Sequence, residues 1–150
     1  MIRLKEIGHV LLRVLDLERS KRFYSLLGFR VLEEDPEHGG TFMALEGQSH
    51  AIDLFPVKDR EEAERQTPGV RGLGHLAFRV ESEAALREAY ATLRKHGVEI
   101  TRTIDHVSQK SIYFADPDGN TLEIYYELPE ALEMFARGRE DRDVPLALDR

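Results

Sequence analysis

The sequence predicts an α+β fold built from two tandem βαβββ modules, and three observations carry that expectation. The stretch "IGHVLLRV" at residues 7–14 returns as "LGHLAFRV" at 73–80, with glycine, histidine, arginine and valine in the same places. Each copy is followed by a helical pattern and then by three strand-like runs. Each helical pattern has a capping residue in front and a glycine behind, Asp16 with Gly28 and Ser82 with Gly97. Within a single domain of residues 1–150, module one covers about 5–56 and module two about 73–127, with a connector at 57–72 and a C-terminal helix and tail at 128–150.

In the first strand Gly8, Val10, Leu12 and Val14 share one face and His9, Leu11 and Arg13 the other, because successive side chains alternate. Asp16 caps a helix to about Leu27, with Leu17, Tyr24 and Leu27 on one side. "FRVLEE" is the next strand, "DPEHGG" a turn, and "TFMALEG" and "HAIDLFPV" complete the module. In module two Leu86, Ala89, Tyr90 and Leu93 fall at i, i+3, i+4 and i+7 of the helix. "VEITRTI", "SIYFA" and "TLEIYYE" are its strands, the last two joined by the hairpin signal "DPDGN". The offset between modules is 66 at the first strand (9 to 75) and 70 at the last (53 to 123). "VKDREEAERQTPG" reads as a charged connector with room for a turn or two of helix, "PEALEMFARG" as a short amphipathic helix, and "REDRDVPLALDR" as a loosely held tail.

Two such units can pair their sheets into a curved, half-open mixed barrel, with the helices outside and an open cup within. The apolar faces then lie under the helices: Val10, Leu12, Leu76, Phe78, Ile112, Phe114, Leu122 and Ile124. The cup faces receive His9, Asp53, His75, Tyr113, Glu123 and Tyr125, polar groups that a hydrophobic core excludes unless they are paired. Arg13 and Arg79 occupy equivalent places at the far ends of their strands, suited to rim ion pairs or to drawing in an anionic substrate. His38 falls in a turn and His96 at a helix end, where a cation favours the dipole, and neither needs a catalytic role.

Composition narrows the partners. The formal charge is −7, with Lys and Arg interspersed among acids, which argues against nucleic acid, since a phosphate backbone requires a concentrated basic face. No apolar run approaches the ~20 residues that span a bilayer, and "MIRLKEIGH" lacks the apolar core of a secretory signal, so no membrane partner is expected and a cytoplasmic location is. With no cysteine, metal ligands must come from His, Asp, Glu and Tyr, and the chain suits a reducing compartment.

The repeated "GH" strands and the closing "IYFADPDGNTLEIY" resemble the vicinal oxygen chelate superfamily over residues 5–127. That superfamily includes glyoxalase I, extradiol ring-cleaving dioxygenases, and resistance proteins against fosfomycin and bleomycin. The resemblance implies that His9, His75 and Glu123 ligate a divalent metal, two imidazoles and one carboxylate that leave coordination positions open. It favours the extradiol branch, in which His50 acts as acid and base, Tyr113 bonds the substrate hydroxyl, and His106 lies beside the aromatic substrate. The implied activity is opening of a catechol-type ring by O2 at Fe(II) or Mn(II), on a small aromatic or other bidentate oxygen substrate. Two other readings stand beside it. By repeat symmetry Asp53 matches Glu123, where glyoxalase I carries a fourth protein ligand, and such a set implies a lyase, isomerase or epimerase using Ni(II), Co(II) or Zn(II). Asp is one methylene shorter than Glu, however, which favours an outer role beside a ligand or Arg13. The other is a non-catalytic protein that sequesters a drug or metabolite. The resemblance and exposed sheet edges together imply a homodimer.

Overall fold

A computed structural model describes residues 8–37, 39–48, 51–59, 73–136 and 143–148, and divides into two compact units, Met1–Thr67 and Pro68–Arg150. His50, His38 and most of the connector lie outside the described residues. The first unit contains β1 (Val10–Val14), α1 (Leu17–Leu26), β2 (Arg30–Asp35), β3 (Gly40–Ala44) and β4 (Ile52–Pro56). The second contains β5 (Leu76–Val80), α2 (Glu83–Lys95), β6 (Ile100–Asp105), β7 (Gln109–Ala115), β8 (Thr121–Glu127), α3 (Ala131–Ala136) and β9 (Val144–Pro145). Sheet orders are β1-β4-β3-β2 and β5-β8-β7-β6-β9, both open, with β1 parallel to β4 and β5 parallel to β8. The α+β class and the duplicated βαβββ order are those the sequence predicts.

The two helices begin and end alike. Asp16 accepts a hydrogen bond from the Arg19 amide at 2.9 Å, and Ser82 accepts one from the Ala85 amide at 3.1 Å, so each satisfies an amide that the first turn leaves unpaired. At the other end Gly28 (φ 96°) and Gly97 (φ 71°) take the left-handed conformation. Beyond them Phe29 donates to the Tyr24 carbonyl and Val98 to the Leu93 carbonyl, which is the six-to-one closure of a Schellman cap, built twice.

Strand register repeats as well. Arg13 lies opposite Phe55 as Arg79 lies opposite Tyr125, and Phe42 opposite Asp53 as Tyr113 lies opposite Glu123. Even the irregularity is duplicated, with a bulge between Val31 and Glu33 and another between Ile100 and Arg102. In the first unit α1 packs on β4, and Leu12, Val14, Met43, Ile52 and Leu54 are buried with Tyr24 and Phe29. In the second α2 packs on β7 and β8, and Leu86, Leu93, Ile112, Phe114 and Leu122 are buried. At about 25 cal/mol per Å² of apolar area removed from water, these faces dominate the stability of each unit.

Several boundaries differ from the sequence reading. His9 and His75 stand just ahead of β1 and β5 rather than inside them, and β7 starts two residues before "SIYFA", at Gln109. The tail is not loose over 143–148: Val144 and Pro145 pair with Asp105 and Ile104, Thr103 Oγ1 donates to the Leu146 carbonyl at 2.8 Å, and Leu148 is buried. A two-residue strand is too short to show an alternation, but it covers part of the β6 edge, whose backbone groups would otherwise go unpaired.

Gly40 is buried on β3, and a β-carbon there would overlap the Phe55 ring. That ring is already packed edge-on against Phe42 at 5.8 Å and beneath the Arg13 guanidinium at 5.7 Å. Gly40→Ala is therefore expected to lose about 1–3 kcal/mol in urea unfolding. The loss should shrink in a Phe55→Ala background, which removes the clash.

Candidate functional site

On the face of the second sheet away from α2, alternation brings forward His75 beside β5, Glu123 on β8, Tyr113 on β7 and Arg102 on β6. Glu123 is 3% exposed. A carboxylate that deep needs partners, and Gln109 Nε2 donates to its Oε1 at 2.9 Å while His75 Nε2 lies 3.1 Å from its Oε2. His75 remains nearly half exposed, so the pair combines a buried acid with an accessible imidazole.

Tyr113 stands directly opposite Glu123 in the ladder and is 5% exposed. Its hydroxyl lies 2.9 Å from His106 Nε2, and His106 Nδ1 lies 2.6 Å from Asp143 Oδ1. Both imidazoles meet the phenol ring edge-on, His75 at 5.9 Å and His106 at 6.1 Å, and the Arg102 guanidinium covers its face at 4.3 Å. Burial pushes the Tyr113 hydroxyl up to about 12, and the neighbouring Glu123 charge and hydrogen bond act in the same direction; Ser111 and Arg102 oppose them. Its one proton therefore has two acceptors to choose from, Glu123 and His106.

The first unit presents a weaker counterpart. His9 Nε2 lies 3.5 Å from Asp53 Oδ2, and Asp53 is 3% exposed. Where the second unit has Tyr113 and Tyr125, the first has Phe42 and Phe55, so no hydroxyl accompanies the acid at those positions. Asp53 faces His9 rather than Arg13, the two neighbours the sequence offers it. Of the two rim arginines, Arg79 forms the expected ion pair, with Glu127 at 2.6 Å. Arg13 instead rests on the Phe55 ring and donates to the Pro56 carbonyl at 3.4 Å.

The structure thus brings His75 to Glu123, and His106 to Tyr113; His50 lies outside the described residues. Within each unit, the described residues offer pairs and no cluster of three His, Asp or Glu. Sequence reasoning missed Gln109, Arg102 and Asp143. Gln109 was within reach of it, since it shares the parity of Ser111 and Tyr113. The bulge after Ile100 hid the parity of Arg102, and nothing local marks Asp143.

Residues 6–124 match the family model described as Glyoxalase/Bleomycin resistance protein/Dioxygenase superfamily. The protein belongs to this superfamily. Among its curated relatives in the superfamily, YwkD of Bacillus subtilis (strain 168) is 39% identical over 81% of this chain and 97% of its own length. Biphenyl-2,3-diol 1,2-dioxygenase 3 of Rhodococcus globerulus is 30% identical over 89% of this chain and 71% of its own. The metallothiol transferase FosB of Staphylococcus saprophyticus is 31% identical over 81% and 77%. A solved glyoxylase/bleomycin resistance protein/dioxygenase domain from Frankia sp. EAN1pec is 27% identical, with a TM-score of 0.73 over 84% of this chain and 100% of that one. The superfamily fold is therefore shared, and its members differ in activity.

A raised phenol pKa has a testable sign. The native state keeps a proton that the unfolded state releases near pH 10, so stability from this group is present below that pH and is lost as pH rises toward about 12. NMR of ring-labelled tyrosine in the metal-free protein is expected to find Tyr113 still protonated at a pH where an exposed tyrosine is half ionised. Glu123→Gln should lower its pKa part of the way, leaving the effect of burial.

Proposed function

We propose that this protein is a metal-dependent extradiol ring-cleaving dioxygenase that acts on a catechol-type vicinal diol with O2. The observation that carries this reading is the adjacency of two pairs on one sheet face, His75 with Glu123 and Tyr113 with His106. A metal site alone would suit several of the activities found in the superfamily. A phenol hydrogen-bonded to an imidazole, next to that site, suits a reaction in which a hydroxylated substrate must lose and regain protons.

The donor set fits a divalent transition metal. An imidazole and a carboxylate facing one another suit such an ion, and His75 Nε2 lies 3.1 Å from Glu123 Oε2. His75, Glu123 and His9 would hold the ion, with Fe(II) preferred and Mn(II) the second choice. When bound, such an ion supplies the open positions and the redox-active centre that let a diol and O2 react.

The remaining chemistry belongs to this chain's own residues. Gln109 fixes one oxygen of Glu123 and so directs the other toward His75. Tyr113, kept un-ionised by burial, can donate to or accept from a substrate hydroxyl without adding a second charge beside Glu123. His106, hydrogen-bonded to the phenol, is assigned uptake of the proton that the diol releases. His50 is assigned the acid and base role that the sequence suggests for it.

A second reading rests on a specific observation, the Asp53–His9 pair that mirrors Glu123–His75. A fourth carboxylate ligand would favour oxygen-independent isomerisation at Ni(II), Co(II) or Zn(II). The side chain of Asp53, one methylene shorter than that of Glu123, counts against it.

Anaerobic purification, loading with Fe(II), and addition of substituted catechols under air are expected to give oxygen uptake and a yellow ring-fission product. His75→Ala and Glu123→Gln should abolish both, and Tyr113→Phe should lower kcat about 10²–10⁴-fold. Metal-loaded protein that consumes no oxygen with any vicinal diol, yet turns over a hemithioacetal with nickel and loses that activity in Asp53→Ala, would establish the second reading instead.

A further inference from the structure

Asp143, His106 and Tyr113 form a line of hydrogen bonds, carboxylate to imidazole at 2.6 Å and imidazole to phenol at 2.9 Å. The first member comes from the C-terminal segment. Val144 and Pro145 pair with Asp105 and Ile104, the Leu146 amide donates to the Thr103 carbonyl at 3.1 Å, and Leu148 is buried. These contacts fix the chain immediately after Asp143. The second member is held just as firmly. Val107 has φ 69°, a conformation that a β-branched residue rarely adopts, with the Ser108 amide closing back on the His106 carbonyl at 2.8 Å and Asp105 Oδ1 accepting from the Val107 amide at 2.9 Å. A γ-turn of this strained hand persists only where its surroundings impose it.

An ionised carboxylate can only accept, so the ring nitrogen facing Asp143 must carry a hydrogen. We propose that Asp143 is a positioning residue: it holds a proton on His106 Nδ1 and so leaves Nε2 as the atom that exchanges a proton with the Tyr113 hydroxyl. The tautomer follows from geometry alone, whereas its use on a substrate rests on the ring-cleaving reading above. In that use, the O–H bond of the bound diol breaks and its proton goes to the Tyr113 oxygen as the Tyr113 proton moves to His106 Nε2. One proton has then passed from diol to imidazole, and the tyrosine is regenerated. The imidazolium lies against the Asp143 carboxylate, which stabilises it without becoming protonated. Return of the proton reverses the same path.

A purely structural ion pair predicts something else. Asp143 is more than half exposed, and exposed pairs contribute little to stability, so its loss should leave Tm close to that of the unaltered protein. The test is imidazole nitrogen NMR of His106 in the full-length, metal-free chain at mildly alkaline pH, alongside kcat and KM for a substituted catechol with Fe(II). The neutral ring is expected in the Nδ1–H form, Asp143→Ala should move it to the Nε2–H form, and Asp143→Glu should restore it. In the loaded enzyme Asp143→Ala should lower kcat about 10–100-fold with KM little changed, and Asp143→Glu should recover most of that loss. An unchanged tautomer in Asp143→Ala overturns the proposal whatever the rates show. A tautomer that switches while kcat stays the same in an enzyme that does cleave diols overturns the catalytic part. A tautomer that switches in a protein inactive toward every diol upholds Asp143 as the group that orients His106, and it is then the ring-cleaving reading that fails.

Discussion

Glu123 is 3% exposed on β8, between β5 and β7, where an unpaired carboxylate would cost several kcal/mol. The neighbours on that face answer this cost. Gln109 from β7 supplies an amide donor to one oxygen, and His75, just ahead of β5, faces the other. Tyr113 sits opposite and is kept protonated chiefly by burial, with the Glu123 charge acting in the same direction. The buried charge adds to burial in keeping Tyr113 un-ionised. It also explains why this face is not simply more core: every strand that borders Glu123 must bring a polar group to it.

The first unit shows what the same backbone does without that arrangement. Register, bulge and helix caps are repeated, and Asp53 occupies the place of Glu123 with similar burial. Yet the residues opposite and beside it are Phe42 and Phe55, which pack against each other and leave Gly40 no room for a side chain. Duplication of a βαβββ unit therefore copied the scaffold and the acid–histidine pair, while the hydroxyl that can relay a proton is found at these positions in the second unit alone. The chemistry of a superfamily whose members differ in activity lives in such substitutions rather than in the fold.

Much of this is legible in the sequence, for a physical reason. A period of two assigns the faces of a strand, so the parity of Glu123 and Tyr113 already turns them away from the helix, and Asp16, Ser82, Gly28 and Gly97 mark the helix ends through chemistry that is local. The turn "DPDGN" is equally plain, since Asp116 accepts from the Asp118 and Asn120 amides within five residues. What sequence does not show is whatever depends on a change of register or on distant pairing. Strict alternation from Ile100 would turn Arg102 to the opposite face, and it is the extra residue at the bulge that brings its guanidinium over Tyr113. The tail reads as loose because two residues of strand carry no pattern, although they pair with β6 across about forty positions and bring Asp143 to His106.

The division of labour between strands and loop also follows from rigidity. The groups assigned to the metal in the second unit stand on or against paired strands, whose ladders hold them to a fraction of an ångström, as a coordination shell requires. His106 belongs to the turn after β6, where parity alone would allow its ring many orientations. Two constraints remove that freedom: the strained γ-turn at Val107, whose cost is of order 1–3 kcal/mol, and the Asp143 carboxylate. The strain is sustained because Ser108 is fully buried and its carbonyl accepts from the Leu128 amide at 2.9 Å, so the turn cannot relax without breaking contact with the end of β8. Holding one nitrogen of His106 against a phenol and the other against a carboxylate needs the ring fixed at both ends, and the turn and tail provide it.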